Sequence, residues 1–90
     1  MLETKCPSPT PGYHIEMMDN EVILFHPAKA RIIYGNHSSA LIWQLCNGQR
    51  TLADIIRLLS QAYPDSAQAI DADVRETLLT FAEQGAIIWV

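Results

Sequence analysis

The sequence predicts an α+β domain in which a three-stranded antiparallel sheet precedes three helices. Three observations point there. Up to Gly35 the chain runs in short β-rich stretches broken by turn residues. From Asn36 onward its apolar residues fall at helical spacing. Every glycine and proline beyond residue 12 lies between these stretches rather than inside one. Ninety residues, 49% hydrophobic and 18% charged, suit one core and one domain.

Residues 1–12 read as a mobile arm, because Pro7, Pro9 and Pro11 alternate with Ser8 and Thr10 and favour extended backbone. The folded unit is expected over residues 13–90. Tyr13-His14-Ile15-Glu16-Met17 is the first strand, and Asp19-Asn20 the turn after it. Glu21–Phe25 is the second strand, stopped by Pro27, which cannot donate to a ladder. Ala30–Tyr34 is the third, ending at Gly35. Asn36 then caps a helix through Ala40, Ile42, Trp43 and Leu45 that ends at Asn47-Gly48. Thr51-Leu52-Ala53-Asp54 reads as a capping box, with Leu52, Ile55, Ile56 and Leu59 forming one apolar face behind it. Pro64 requires that helix to stop by Tyr63. Asp65 or Ser66 opens the third helix, whose stripe is Ile70, Val74, Leu78 and Phe81 and whose stop is Gly85. Ala86–Val90 is a short apolar tail, read as a final strand packed back on the domain.

Composition narrows the chemistry. Ten acidic against six basic side chains leave a net charge of −4, which opposes a role in neutralising phosphates. No apolar run approaches the roughly 20 residues that span a bilayer. The first six residues lack the apolar stretch of a secretory signal, so a cytoplasmic protein is expected. Cys6 and Cys46 form no C-x-x-C pair: Cys46 reads as a small buried hydrophobe and Cys6 as an exposed thiol. His14, His26 and His37 share no metal-ligand spacing. Nothing locates Cys46 and His37 together as a nucleophile and base. No metal, no cofactor and no enzymatic activity are expected. Trp43 and Trp89 read as core or rim aromatics.

Several stretches taken in order resemble one family. They are Val22-Ile23-Leu24-Phe25-His26-Pro27, then Asn36 opening a helix with Ala40 and Ile42-Trp43, then Leu45-Cys46-Asn47-Gly48-Gln49-Arg50-Thr51-Leu52-Ala53-Asp54-Ile55-Ile56. Tyr63-Pro64-Asp65, Asp71–Val74, Leu78, Phe81 and Gly85 complete the pattern. Together they resemble the PqqD-like peptide chaperones, the stand-alone form of the RiPP recognition element, over residues 13–90. The resemblance implies a winged-helix-like domain that carries no catalytic residue and no cofactor. It also implies that the leader of a ribosomally made precursor peptide docks as an extra strand on the third strand, beside the third helix. The leader is then presented to a radical-SAM type enzyme, as in pyrroloquinoline quinone or related biosynthesis. The chain departs from the family at Gly35, where a Leu is usual, at Thr77, often aromatic, and at Leu79, usually polar.

Mapped onto this chain, the expected peptide-binding residues are Arg31, Ile32, Ile33 and Tyr34 on the strand with Val74, Arg75, Leu78 and Leu79 on the helix. An edge strand offers unpaired N–H and C=O groups to an extended peptide. Here only Arg31 and Lys29 protect the edge by charge. One face of the strand fills the core, and the sequence leaves open which. Arg75 has a second candidate role, since Asp71 lies at i−4. The acidic stretch Asp71, Asp73 and Glu76 reads as a solvated face or as a contact for a basic patch on a partner enzyme. Two other readings stand beside leader binding: a homodimerising interaction module using the same edge, and winged-helix DNA binding. The charge opposes the second of these.

Overall fold

The computed structural model describes residues 2–19 and 21–90. In chain order the elements are β1 (Pro7–Pro9), β2 (His14–Met18), β3 (Glu21–His26), β4 (Arg31–Asn36), α1 (His37–Leu45), α2 (Leu52–Ala62), α3 (Ala67–Glu83) and β5 (Ile87–Trp89). β2, β3 and β4 form an antiparallel sheet in that order, as the sequence predicts. β1 and β5 pair separately in a two-stranded antiparallel ribbon.

The β2–β3 turn is a two-residue connection, since Met18 pairs with Glu21. Asp19 sits at φ 50°, the left-handed geometry such hairpins demand; Asn20, the other half of the expected turn, lies outside the described residues. His26 ends β3 and caps a 3-10 turn over Pro27–Lys29, its Nδ1 accepting from Lys29 N–H at 3.2 Å. Its ring packs edge-on against Tyr13, with centroids 5.1 Å apart.

Helix starts follow local chemistry. Asn36 Oδ1 accepts from Ser39 N–H at 3.0 Å, while Ser39 Oγ accepts from Asn36 N–H at 3.4 Å, a reciprocal cap for α1. Thr51 and Asp54 form the expected capping box of α2, with both bonds at 3.0 Å. The start of α3 differs from the expected side-chain cap. Ser66 holds the N-cap position without a side-chain bond, and a 3-10 turn over Pro64–Ser66 leads into the helix instead.

The core lies between the inner sheet face and the three helices. Val22, Leu24 and Ile33 come from the sheet, Ile42, Leu52 and Ile55 from α1 and α2, and Val74, Leu78 and Phe81 from α3. Trp43 packs edge-on against Phe81 at 5.7 Å. Cys46 is buried, its thiol donating to Ile42 C=O at 3.3 Å, and burial pushes its pKa up to about 12. Such a thiol is inert. His37 and Cys46 stand at opposite ends of α1, roughly 13 Å of helical rise apart, so they form no nucleophile–base pair.

The reading of residues 1–12 as a mobile arm is corrected. Pro7 is fully buried, and β1 holds β5 through reciprocal bonds between Cys6 and Val90 at 2.7 and 2.8 Å and from Thr10 N–H to Ala86 C=O at 2.8 Å. Pro7–Pro9 is extended as its prolines require, but it is docked. Its partner lies some eighty residues away, beyond the reach of local composition. Cys6 is half-buried rather than exposed. No helix among the described residues is long and apolar enough to cross a membrane.

Candidate functional site

Which groups β4 offers to solvent follows from the phase of the hairpins. Because Met18 and Glu21 close a two-residue turn, they exchange both backbone hydrogen bonds. Alternation then turns the backbone groups of Ile23 and Phe25 toward β2, and those of Val22, Leu24 and His26 toward β4. Their β4 partners are Gly35, Ile33 and Arg31. Ile32, Tyr34 and Asn36 therefore direct N–H and C=O away from the sheet, along an edge that no strand covers among the described residues. The Asn36 N–H is spent on Ser39 Oγ, in keeping with this phase. The open rungs are Ile32 and Tyr34.

Side chains alternate with the same period. Ile33 is buried in the core cluster, so the inner face of β4 fills the core. Ile32 and Tyr34 are 57% and 71% exposed on the outer face, beside Ile23 and Phe25 of β3. A shallow apolar concavity of about 440 Å³ lies on that face around Met18, Phe25 and Ile32. Gly35 sits where the edge strand meets α1, and a Cβ there would stand 2.8 Å from Ser39 Cβ. The usual Leu has no room at this position, because the reciprocal cap of α1 occupies the space.

Beyond the open edge, β4 faces α3 across a groove. At one end a hollow of about 340 Å³ is walled by Asn36 and Ser39 on one side and Asp73, Glu76, Thr77 and Thr80 on the other. At the other end, a hollow of about 350 Å³ brings Lys29 and Arg31 opposite Glu83 and Gln84. The α3 wall is thus the line of Asp73, Thr77, Thr80 and Gln84, at spacings of four, three and four on one helix face. Carboxylates stand at both ends, and the middle is uncharged.

This placement divides the residues singled out from sequence. Arg31 lines the groove, and Ile32 and Tyr34 supply its open backbone. Ile33 and Leu78 are core residues at 8% and 0% exposure and present no surface to a ligand, while Val74, 1% exposed, lines only a recess beside the groove. Leu79 is exposed but lies about 200° around the helix from Thr77. Arg75 is likewise turned away. It donates to Asp71 at 2.6 Å and to Glu3 at 2.9 Å, tying α3 to the N-terminal segment, and these two carboxylates hold its guanidinium pKa above the ordinary value. The helix stripe read from the sequence is the buried one. The groove line sits beside it, and the departure from the family at Thr77 is the one sequence signal that falls on it.

The family model described as coenzyme PQQ synthesis protein D (PqqD) matches residues 21–87 of this chain. A PqqA binding protein of Rahnella aquatilis is 33% identical over 82 residues, covering 88% of this chain and 79% of the relative. Among solved structures, TbiB1 in complex with the TbiA(beta) leader peptide superposes with a TM-score of 0.70 at 18% identity, over 89% of this chain and 93% of that one. That likeness establishes the same fold.

Proposed function

The chain belongs to the coenzyme PQQ synthesis protein D (PqqD) family, and from that membership we propose that it is a non-catalytic peptide chaperone. It binds the leader of a ribosomally made precursor peptide by strand addition to β4. It then presents that peptide to a modifying enzyme of the radical-SAM type, in pyrroloquinoline quinone or related biosynthesis. The observation that carries this reading is the open edge itself. Ile32 and Tyr34 offer two unpaired rungs on a β-rich strand, in a groove walled by α3. An extended peptide satisfies those groups and gains its own, which supplies sequence-tolerant affinity. The relative from Rahnella aquatilis is named for binding PqqA, which supports the choice of ligand class. The exposed outer face around Ile23, Ile32 and Tyr34 stays uncovered beside an added strand, so an enzyme can contact chaperone and peptide together.

Calorimetry with the PqqA peptide of Rahnella aquatilis tests the reading. The expected result is one peptide per chain, with binding lost in folded Ile32→Pro and Tyr34→Pro variants, because each removes an edge donor. Unchanged affinity in both variants, or no PqqA binding by the unaltered chain, contradicts it. Sedimentation separates the homodimer reading: a dimer indifferent to peptide would assign the edge to a second copy.

A further inference from the structure

Backbone pairing along β4 does not select a sequence, and the groove middle gives little help. Thr77 and Thr80 are polar and uncharged, and the hollow they wall is lined mostly by polar side chains. A recess does open where the groove meets the N-terminal half of α3. Its volume is about 300 Å³, and its walls are Leu41 of α1, Leu59 of α2, Tyr63, Ile70 and Val74. Ser38, Ile42 and Asp73 line both this recess and the adjoining groove hollow, so the two are one continuous surface. The opening carries His37 and Asp73, whose side chains have no hydrogen-bond or ion-pair partner among the described residues.

Resting on strand addition at β4, we infer that this recess is the anchor pocket of the same peptide. It takes one bulky apolar side chain, aromatic or branched aliphatic, just beyond the segment that pairs with Ile32 and Tyr34. Size supports the assignment, since a cavity of ~150 Å³ lined by Leu, Ile and Phe already holds a benzene ring. The recess is therefore large enough for a tryptophan-sized group. Chemistry supports it too: apolar walls with a few polar groups at the mouth are what a site that fixes orientation requires. The unpaired Asp73 carboxylate at the mouth favours a Lys or Arg next to the anchor residue. The anchor fixes register, because a strand added to a two-rung edge is otherwise free to slip.

Calorimetry with the Rahnella aquatilis PqqA peptide and its single-alanine series tests this on the full chain. Ala69, exposed on α3 at the pocket rim, is replaced by Trp to fill the recess without touching the core. Leu41→Ala is made in parallel to enlarge it. Ala69→Trp should weaken the peptide at least tenfold. One large apolar peptide residue should lose the same factor on replacement by Ala, with no further loss in the Ala69→Trp chain. Leu41→Ala should shift preference toward a larger side chain at that peptide position. If Ala69→Trp binds within twofold of the unaltered chain while Tyr34→Pro abolishes binding, strand addition stands and the anchor is wrong. If the unaltered chain does not bind PqqA, the functional reading fails and takes the anchor with it.

Discussion

β4 and β5 are both short apolar strands, and the chain treats their outer edges in opposite ways. β5 is covered by β1, and β1 has its own outer edge sealed. Its even-numbered neighbours pair inward, Cys6 with Val90 and Thr10 with Ala86, so Pro7 and Pro9 face outward and have no N–H to offer. Two outward carbonyls are also engaged: Pro7 C=O accepts from Gly48 N–H and Lys5 C=O from Leu52 N–H, both at 3.0 Å. Prolines and caps of this kind are how soluble proteins blunt an edge. β4 has neither. A chain that seals one edge with two prolines leaves Ile32 and Tyr34 open on β4, the sheet edge that borders the α3 groove.

The contrast can be broken from either side. The largest expected effect comes from sealing β4 as β1 is sealed. Tyr34→Pro should cut PqqA affinity by more than about 100-fold by calorimetry while leaving the circular dichroism of the domain intact. Ile33→Pro sharpens the point. It removes a bond to Leu24 and strains a core residue, so it should unfold the domain rather than report on the edge.

Unsealing β5 is the converse. Deleting residues 1–9 removes buried Pro7 and the β1 ladder, and should lower the melting temperature by roughly 10–20 °C, as expected for a loss of ~2–3 kcal/mol in a domain this small. Sedimentation should show self-association through the exposed β5 edge. At the junction of β4 with α1, Gly35→Ala should cost about 1–2 kcal/mol in chemical denaturation, since the new Cβ displaces Ser39 and opens the α1 cap.

The smallest effect is electrostatic. The Thr51 backbone N–H, with the Thr51 side chain and then Arg57 adding to it, holds the Asp54 carboxyl below its ordinary value; Glu3 is held low by its own backbone and by Arg75. Their folded pKa values lie below the unfolded ones. The stability they give is therefore present above the unfolded carboxylate range and is lost as pH falls through the folded values. Melting curves between about pH 6 and pH 3 should show a shallower acid loss for Asp54→Asn than for the unaltered chain.

What was legible in the sequence was local or periodic. The Thr51–Asp54 capping box, the Asn36 cap and the buried stripe Val74, Leu78, Phe81 are set by residues three or four apart, and the structure contains them all. The order of three strands and three helices was legible for the same reason. The errors were non-local. The Pro7–Pro9 segment reads as a tail until its partner at Ile87–Trp89 is seen. Arg75 reads as a ligand contact or a partner of Asp71 until Glu3, 72 residues earlier, is found beside it as well. The groove face of α3 was missed because periodicity identifies the face that is buried, and a polar line such as Asp73, Thr77 and Thr80 looks like any solvated surface. Which backbone groups of β4 are open is set by its pairing with β3, Ile33 opposite Leu24, and no pattern within β4 itself displays that phase.

That phase decides where a peptide can pair, and amide hydrogen exchange read residue by residue tests it directly. In the free chain the amides of Ile33 and Gly35 should be protected and those of Ile32 and Tyr34 should exchange quickly. Saturation with PqqA should protect Ile32 and Tyr34 and leave Ile33 nearly unchanged. Binding that leaves the Ile32 and Tyr34 amides exchanging at their free rates would contradict strand addition at β4.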